Sequence, residues 1–128
     1  MTYTILIADD EPSLRLLVRA TLKSAGHTLI EATNGNDALS IARQVLPDLI
    51  LLDVMMPGLS GFQVCTELRK DKSTERIPVA ILTAKGGHED RDTAKAAGAN
   101  YFITKPFRPP ELLAVVARVF AKREAVSR

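Results

Sequence analysis

Residues 49–58 read Leu49-Ile50-Leu51-Leu52-Asp53-Val54-Met55-Met56-Pro57-Gly58. Four consecutive apolar residues are typical of a central parallel strand that is covered on both faces. The Pro57-Gly58 pair is a turn signal that ends such a strand. We therefore expect the carboxylate of Asp53 to lie at the carboxyl end of a buried strand, where open α/β sheets bind their ligands.

The bulk composition narrows the class of protein. The chain has 128 residues, of which 46% are hydrophobic and 25% charged, as in one globular domain with a real core. Its formal charge of +2 does not favour nucleic acid or an anionic membrane as a partner. One cysteine excludes an internal disulfide. Because the sequence shows neither a signal peptide nor a long apolar span, we expect a cytoplasmic protein without membrane contact.

Strand signals and helix signals alternate five times along the chain. Such alternation predicts a (βα)5 arrangement of class α/β, with a parallel sheet, helices on both faces and right-handed crossovers. Asn34 or Asn36 is expected to cap the second helix. The expected strands cover 4–8, 28–31, 49–53, 79–82 and 101–103, and the expected helices begin near Pro12, Asn34 or Asn36, Gly61, Glu89 and Pro109.

Polar residues follow four of these strands. All strands of a parallel sheet end at the same edge, so these residues are predicted to meet there. Carboxylates that lie close together repel one another unless a cation sits among them, and a few oxygen ligands plus water are typical of Mg²⁺. A lysine and a hydroxyl suit a phosphoryl group that the metal also touches. The residues concerned are Asp9, Asp10, Glu11, Asp53, Thr83 and Lys105.

Four segments together resemble the receiver domain of two-component response regulators. They are residues 5–12 (Ile-Leu-Ile-Ala-Asp-Asp-Glu-Pro), residues 51–58 (Leu-Leu-Asp-Val-Met-Met-Pro-Gly), Leu82-Thr83-Ala84 and Thr104-Lys105-Pro106-Phe107. Each segment alone is unspecific, but four in this order at strand ends are highly specific. The resemblance covers nearly the whole chain and implies a doubly wound, flavodoxin-like five-stranded sheet of order 2-1-3-4-5. It implies a receiver domain over residues 1–123, followed by a tail or the start of a linker over 124–128.

The resemblance also implies roles for the edge residues. Asp53 would be the phosphoacceptor, taking a phosphoryl group from a histidine kinase, a phosphotransfer protein or an acyl phosphate. Mg²⁺, with Mn²⁺ as a substitute, would be bound by Asp10, Asp53 and the main-chain carbonyl of Met55, and by Asp9 through a water. Thr83 and Lys105 would bind phosphoryl oxygens. Such a module catalyses its own phosphotransfer and dephosphorylation only, so we do not expect an enzyme acting on other substrates.

A conformational switch is the further consequence of the resemblance. Thr83 would move toward the phosphate, and Phe102 would fill the vacated space, which changes the surface of the fourth helix, fifth strand and fifth helix. That surface would regulate a protein partner or a fused output domain, and the chain would be a monomer or a phosphorylation-dependent homodimer without direct nucleic-acid binding. At Ala99-Asn100 the chain lacks the acidic residues that one subfamily uses in a dimer face. This difference weakens, without removing, the prediction of that dimer. Met55 and Lys85 are expected to tune dephosphorylation.

Other interpretations of the same residues remain open from the sequence. An aspartyl phosphatase or mutase also uses Asp, Thr and Lys at a sheet edge, but its nucleophile is normally followed two residues later by an acid, where this chain has Met55. A nucleotide- or flavin-binding domain would need a glycine-rich loop after the first strand, where this chain has Asp9-Asp10-Glu11. On its own, Asp53 could cap a turn and Phe102 could be core. His27, beside Gly26, is expected to face solvent.

Overall fold

The computed structural model describes residues 2–84 and 88–126, which form one parallel sheet with helices on both faces. The sheet order is β2-β1-β3-β4-β5, and every neighbouring pair is parallel. The predicted α/β class, flavodoxin-like topology and strand order are thereby confirmed. In chain order the elements are β1 (Thr4–Ala8), α1 (Pro12–Ser24), β2 (Thr28–Ala32), α2 (Gly35–Val45), β3 (Leu49–Asp53), α3 (Gly61–Lys70), β4 (Val79–Ala84), α4 (His88–Ala97), β5 (Tyr101–Lys105) and α5 (Pro109–Val126).

The hydrophobic core lies on both faces of the sheet. Successive side chains of a strand point to opposite faces, so Leu51 packs with the α1 and α5 layer while Ile50 and Leu52 pack with the α2, α3 and α4 layer. All five residues of β3 are buried. Burial on both faces explains why the strands are continuous apolar runs rather than alternating patterns.

Side-chain caps mark the starts of α2 and α3. Asn34 is the N-cap of α2, where its Oδ1 accepts the backbone N–H of Asp37 at 2.8 Å. Ser60 and Gln63 form a reciprocal capping box at the start of α3. These side chains satisfy backbone donors that the first helical turn leaves unpaired. Of the two candidates for the α2 cap, the structure therefore selects Asn34.

Helix α5 is longer than the sequence pattern indicated. It continues to Val126, so residues 124–126, expected in a tail, are helical. Glu124 accepts a hydrogen bond from the Tyr3 hydroxyl at 2.6 Å, which ties this end of α5 to the residue before β1. The domain boundary after residue 123 stays a prediction. Among the described helices, none is both long enough and apolar enough to cross a membrane.

A small aromatic cluster joins the amino terminus to α5. The Tyr3 ring stacks on Phe120 with centroids 3.8 Å apart, and His27 lies 5.4 Å from Phe120. The Nδ1 atom of His27 accepts the Tyr3 backbone N–H at 3.3 Å. The expectation that His27 faces solvent was therefore wrong, because its ring is half-buried in this cluster. Burial lowers the pKa of His27, and the charge of the chain's amino terminus lowers it further.

Candidate functional site

Three carboxylates meet at the carboxyl edge of the sheet. Asp9 and Asp10 follow β1 directly, and Asp53 is the last residue of β3, the strand beside β1. One carboxylate oxygen from each of the three residues lies within 4.8 Å of the other two. Asp9 is fully buried and Asp53 is 7% exposed, whereas Asp10 is open to solvent. The cluster therefore has a buried floor and one accessible side.

The last residue of β5 supplies the positive charge of this cluster. Lys105 Nζ donates hydrogen bonds to Asp9 Oδ2 at 2.8 Å and to Asp53 Oδ1 at 3.0 Å. The Lys105–Pro106 peptide bond is cis. With all groups ionised, three carboxylates and one ammonium leave a formal charge of −2. The cluster therefore keeps a net negative charge that can attract a further cation.

Burial and neighbouring charges shift the pKa values of Asp53 and Lys105. Burial raises the pKa of Asp53, and the neighbouring charges of Asp9 and Asp10 raise it further, against the opposing effect of Lys105. Burial alone would lower the pKa of Lys105, but its hydrogen bonds with Asp9 and Asp53 outweigh burial and raise it. Ionising Asp53 is therefore costly even with the Lys105 ammonium beside it.

Arg15 braces the loop that carries the first two carboxylates. Its Nη1 donates to the backbone carbonyl of Asp9 at 2.8 Å, and its Nε lies 3.3 Å from a carboxylate oxygen of Glu31 on β2. The carboxylate oxygen of Asp9 that does not contact Lys105, Oδ1, accepts the backbone N–H of Glu11 at 2.9 Å. Both carboxylate oxygens of Asp9 are thus held within the protein. Sequence reasoning missed Arg15, because nothing in the α1 pattern separates it from a surface arginine.

A glycine allows α3 to approach the backbone of the phosphoacceptor candidate. A Cβ atom built on Gly61 would overlap the carbonyl oxygen of Asp53 and lie 3.3 Å from Val54 Cα. The Gly61 N–H donates to the carbonyl of Val54 at 3.1 Å. Gly61 therefore sets how closely the helix start packs under Asp53. Sequence reasoning also missed this role, because a glycine at a helix start does not indicate which backbone segment the helix approaches.

The remaining predicted residues lie around this centre. Thr83 is 1% exposed on β4 and pairs with Thr104 on β5, one residue before Lys105. Met55 lies in the loop after β3 and is 77% exposed. Phe102 is half-buried on β5, with the guanidinium carbon of Arg91 5.9 Å from its ring centroid. Lys85 lies outside the described residues.

Comparison with known proteins places this arrangement in a family. The profile described as the response regulator receiver domain matches residues 5–117. The chain belongs to this family. Receiver domains are signalling modules of two-component systems, and the cluster of Asp9, Asp10 and Asp53 fits the Mg²⁺ site of such domains. No comparison favours the aspartyl phosphatase or mutase alternative.

Two curated relatives match the chain over different shares of their own length. The chain is 42% identical over 117 residues to the protein PilH of Pseudomonas aeruginosa, covering 91% of this chain and 97% of PilH. It is 41% identical over 119 residues to the phosphate regulon transcriptional regulatory protein PhoB of the same species, covering 93% of this chain but 52% of PhoB. The chain spans about half the length of several other curated relatives, among them RpaA of Synechocystis.

Solved structures agree with this assignment. A response regulator from Chloroflexus aurantiacus is similar with a TM-score of 0.91 and 33% identity, over 94% of this chain and 99% of that one. The receiver domain of the sensor histidine kinase PA1611 of Pseudomonas aeruginosa is similar with a TM-score of 0.87 and 30% identity, over 94% and 99% of the two chains. That structure holds a magnesium ion coordinated in its active-site cleft.

Proposed function

We propose that the chain accepts a phosphoryl group on Asp53 and so switches the activity of a partner or of a fused output domain. The donor is the phosphohistidine of a histidine kinase or phosphotransfer protein, with acyl phosphates as small-molecule alternatives. One observation carries the proposal: the Asp53 carboxylate lies within the three-carboxylate cluster and 3.0 Å from the Lys105 ammonium. A nucleophile, a cation site and a fixed positive charge therefore meet at one accessible edge.

The oxygen donors of the cluster suit a magnesium ion. Asp10 and Asp53 would bind it directly together with the main-chain carbonyl of Met55, and Asp9 would act through a water. The engagement of both Asp9 oxygens with Glu11 and Lys105 favours such an indirect role for Asp9, whereas Asp10 is open to solvent. When bound, Mg²⁺ supplies positive charge against the carboxylates and the incoming phosphoryl oxygens; Mn²⁺ would serve the same purpose.

The transfer itself is a displacement at phosphorus. A carboxylate oxygen of Asp53 forms the new O–P bond while the N–P bond of the phosphohistidine breaks, and the electron pair of that bond stays on the imidazole nitrogen. Lys105 already contacts Asp53, so its ammonium is close enough to pair with a phosphoryl oxygen of the product. The acyl phosphate is later cleaved by water. The chain therefore acts on its own phosphorylation state and not as an enzyme on other substrates.

The switch would run from Thr83 to Phe102. Ile81 pairs with Phe102 and Thr83 pairs with Thr104, so Thr83 and Phe102 lie on the same face of adjacent strands, two residues apart along the strands. A shift of the Thr83 hydroxyl toward a phosphoryl oxygen would open space on that face. The half-buried Phe102 ring would enter it and leave Arg91, which changes the surface between α4 and α5.

The contacts of Asn100, which directly precedes β5, help to predict the oligomeric state. We propose a monomer or a phosphorylation-dependent homodimer, in the cytoplasm, without direct binding of nucleic acid by this chain. The Oδ1 atom of Asn100 accepts hydrogen bonds from Arg69 Nη2 and from the Val79 N–H, both at 2.9 Å. Its side-chain oxygen is therefore engaged within the chain, which supports the weaker expectation for a dimer that would use this position.

Incubation with acetyl phosphate and Mg²⁺, followed by intact-mass measurement, tests the proposal. Wild type should gain one phosphoryl group that is lost on hydroxylamine treatment, and chelation of the metal should prevent the gain. The Asp53→Asn variant should gain none, and the matched Asp71→Asn variant should behave like wild type because Asp71 lies outside the cluster. Equal phosphorylation of Asp53→Asn, or none on wild type, would refute the assignment.

A further inference from the structure

The loop that joins β3 to α3 is hydrogen-bonded to the first residues of two helices. The Gly61 N–H, at the start of α3, donates to the Val54 carbonyl at 3.1 Å. The Gly35 N–H, at the start of α2, donates to the Pro57 carbonyl at 3.2 Å. The first N–H groups of a helix have no partner within that helix, which makes both available for such contacts. The two hydrogen bonds flank the Met55 carbonyl, which the proposed function assigns to the metal.

The close approach of this loop to α2 requires a glycine at position 35. A Cβ atom built on Gly35 would overlap the carbonyl oxygen of Leu59 and lie 2.7 Å from its carbonyl carbon. The backbone of Gly35 does not itself need glycine, because its φ angle is not among the positive ones. Glycine is also less favourable than alanine within a helix. The approach of the loop, rather than the conformation of the helix, therefore accounts for this residue.

The segment between the two hydrogen bonds has little conformational freedom of its own. Only Met55 and Met56 separate Val54 from Pro57, and the proline has a fixed φ angle and restricts Met56 to extended conformations. Val54 and Met56 pack against the core layer of α2, α3 and α4, whereas Met55 is 77% exposed. Among the described residues, no backbone N–H donates to the Met55 carbonyl. The direction of that carbonyl is therefore set by the places at which Val54 and Pro57 are held.

We propose that Gly35 is a positioning residue for the metal site. Its N–H and its lack of a side chain hold the β3–α3 loop where the Met55 carbonyl can bind Mg²⁺ together with the carboxylates. The inference rests on the proposed function, in which that carbonyl is a ligand. Mg²⁺ demands near-ideal octahedral geometry, so displacement of a single oxygen weakens its binding. A side chain at position 35 would displace the loop through Leu59 and lower the metal affinity without removing any ligand.

Magnesium titration of Gly35→Ala, with Gly26→Ala as its matched control, tests the proposal. Gly26 lies just beyond α1, with φ 89° and no described atom within 4 Å of a built Cβ. Gly26→Ala therefore strains the backbone without touching the loop, and we expect both variants to melt at a lower temperature than wild type. Well below those temperatures, the Mg²⁺ dissociation constant should rise at least fivefold in Gly35→Ala and stay within twofold of wild type in Gly26→Ala.

The Met55 carbonyl can be observed directly, because Met55-Met56 is the one pair of consecutive methionines in the sequence. In protein labelled with carbonyl ¹³C and with ¹⁵N only at methionine, the carbonyl-to-amide NMR correlation reports the Met55 carbonyl alone. Its chemical shift should move when Mg²⁺ is added to wild type. In Gly35→Ala the shift should already differ without metal and should respond only at the higher Mg²⁺ concentration, whereas Gly26→Ala should match wild type.

Phosphorylation by acetyl phosphate separates positioning of the metal from damage to the nucleophile. In Gly35→Ala, the Mg²⁺ concentration for the half-maximal rate should rise by the same factor as the dissociation constant. The rate at saturating Mg²⁺ should stay within about twofold of wild type, because Asp53 and Lys105 are unchanged. A merely destabilised protein would not divide the two quantities in this way.

Hydrogen exchange of wild type provides a check that needs no variant. Because coupling between two events is reciprocal, a hydrogen bond that favours metal binding must itself be stabilised by the metal. Saturating Mg²⁺ should therefore slow the exchange of the Gly35 N–H at least threefold more than that of the Gly26 N–H. The latter donates to the Lys23 carbonyl at 2.9 Å, at the end of α1. This measurement decides the question even if Gly35→Ala does not fold.

The outcomes that contradict the inference are distinct from those that contradict the proposed function. A dissociation constant in Gly35→Ala equal to that of wild type, or raised equally in Gly26→Ala, would overturn the positioning role and leave the phosphoacceptor assignment standing. Equal slowing of exchange at Gly35 and Gly26 would do the same. A wild-type Met55 carbonyl shift that does not respond to Mg²⁺ would show that this carbonyl is not a ligand, so the proposed metal site would be wrong and the inference with it.

Discussion

Lys105 donates a hydrogen bond to Asp53, with Nζ 3.0 Å from Oδ1, across 52 positions of sequence. The same ammonium contacts Asp9 at 2.8 Å, so one lysine compensates two of the three carboxylates. A divalent cation bound to the cluster would therefore compete with Lys105 for the same carboxylate oxygens, and the two positive charges would repel each other. The metal affinity of the cluster depends on how far Lys105 neutralises it.

Replacing Lys105 with methionine is expected to preserve or raise the affinity for Mg²⁺. The variant removes a competing positive charge while retaining an apolar stem of similar length. Phosphorylation by acetyl phosphate should become slower, because a cation that pairs with the phosphoryl oxygens is lost. Isothermal titration with Mg²⁺ and the rate of mass gain measure the two effects separately.

Asp10→Asn provides the contrasting case for metal binding. This variant removes the exposed carboxylate of the cluster and should lower Mg²⁺ affinity at least tenfold. If Lys105→Met lost as much affinity as Asp10→Asn, Lys105 would have to support the metal site rather than compete with it, and the roles proposed above would be wrong.

Asp53→Asn is expected to raise the melting temperature in the absence of divalent ions at pH 7.5. The pKa of Asp53 is raised from 3.8, chiefly by burial, so ionising this group costs folding free energy. That cost is absent at pH values below about 3.8 and grows as the pH rises through the raised pKa. The stability difference between the two proteins should therefore shrink as the pH is lowered toward 4.

Asp71→Asn is the matched control with the opposite sign. Hydrogen bonds from the backbone and hydroxyl of Ser73 lower the pKa of Asp71, so its charge stabilises the fold above pH 3.8. This variant should lower the melting temperature at pH 7.5. An equal response of both variants would contradict the raised pKa of Asp53 and its main cause, the burial of this carboxylate.

The fold was predictable because its signals are local. Apolar runs such as residues 49–52 identified buried strands, and Pro12, Gly26 and Pro109 marked helix ends within a residue or two. The convergence of Asp9, Asp53 and Lys105 followed from the parallel topology alone, since every strand delivers its last residue to one edge. Residues 124–128 were expected to form a tail or the start of a linker, whereas α5 continues to Val126 and Glu124 is fixed by a contact with Tyr3.

Contacts between distant segments could not be predicted in the same way. Arg15 reaches the carbonyl of Asp9, and Gly61 lies against the backbone of Asp53, but neither interaction has a periodic or compositional signature. The burial of His27 was missed for the same reason, because it depends on Phe120 across 93 positions. Side-chain identity shows which groups are available, while their partners depend on tertiary packing.

Arg69 is expected to be a stability centre that lysine cannot replace. Its guanidinium donates to the carbonyls of Gly98, Glu75 and Ile77 and to Asn100 Oδ1, at distances of 2.8–3.0 Å. These bonds join the end of α3 to the loops before β4 and β5. Lysine cannot reproduce the planar fork, so Arg69→Lys should cost about 2 kcal/mol in the free energy of unfolding by urea.

Arg43→Lys is the appropriate comparison for Arg69→Lys. Arg43 makes one exposed ion pair, with Nε 3.4 Å from Asp71 Oδ2, and such pairs contribute little. Its replacement should change the free energy of unfolding by less than about 0.5 kcal/mol. Similar costs for the two variants would show that the arginine network adds nothing beyond an ordinary surface pair.

His27 is expected to make the stability of the fold dependent on pH near neutrality. Its pKa is lowered from 6.5, first by burial beside Tyr3 and Phe120, so the unfolded chain takes up a proton before the folded chain does. The stabilising effect of neutral His27 is complete well above pH 6.5 and is lost as the pH falls toward the lowered pKa. Wild type should therefore lose more stability between pH 7.5 and 5.5 than His27→Asn, whose Oδ1 can still accept the Tyr3 N–H. NMR titration of the imidazole Cε1 proton checks the direction directly, and a midpoint above 6.5 would refute this account.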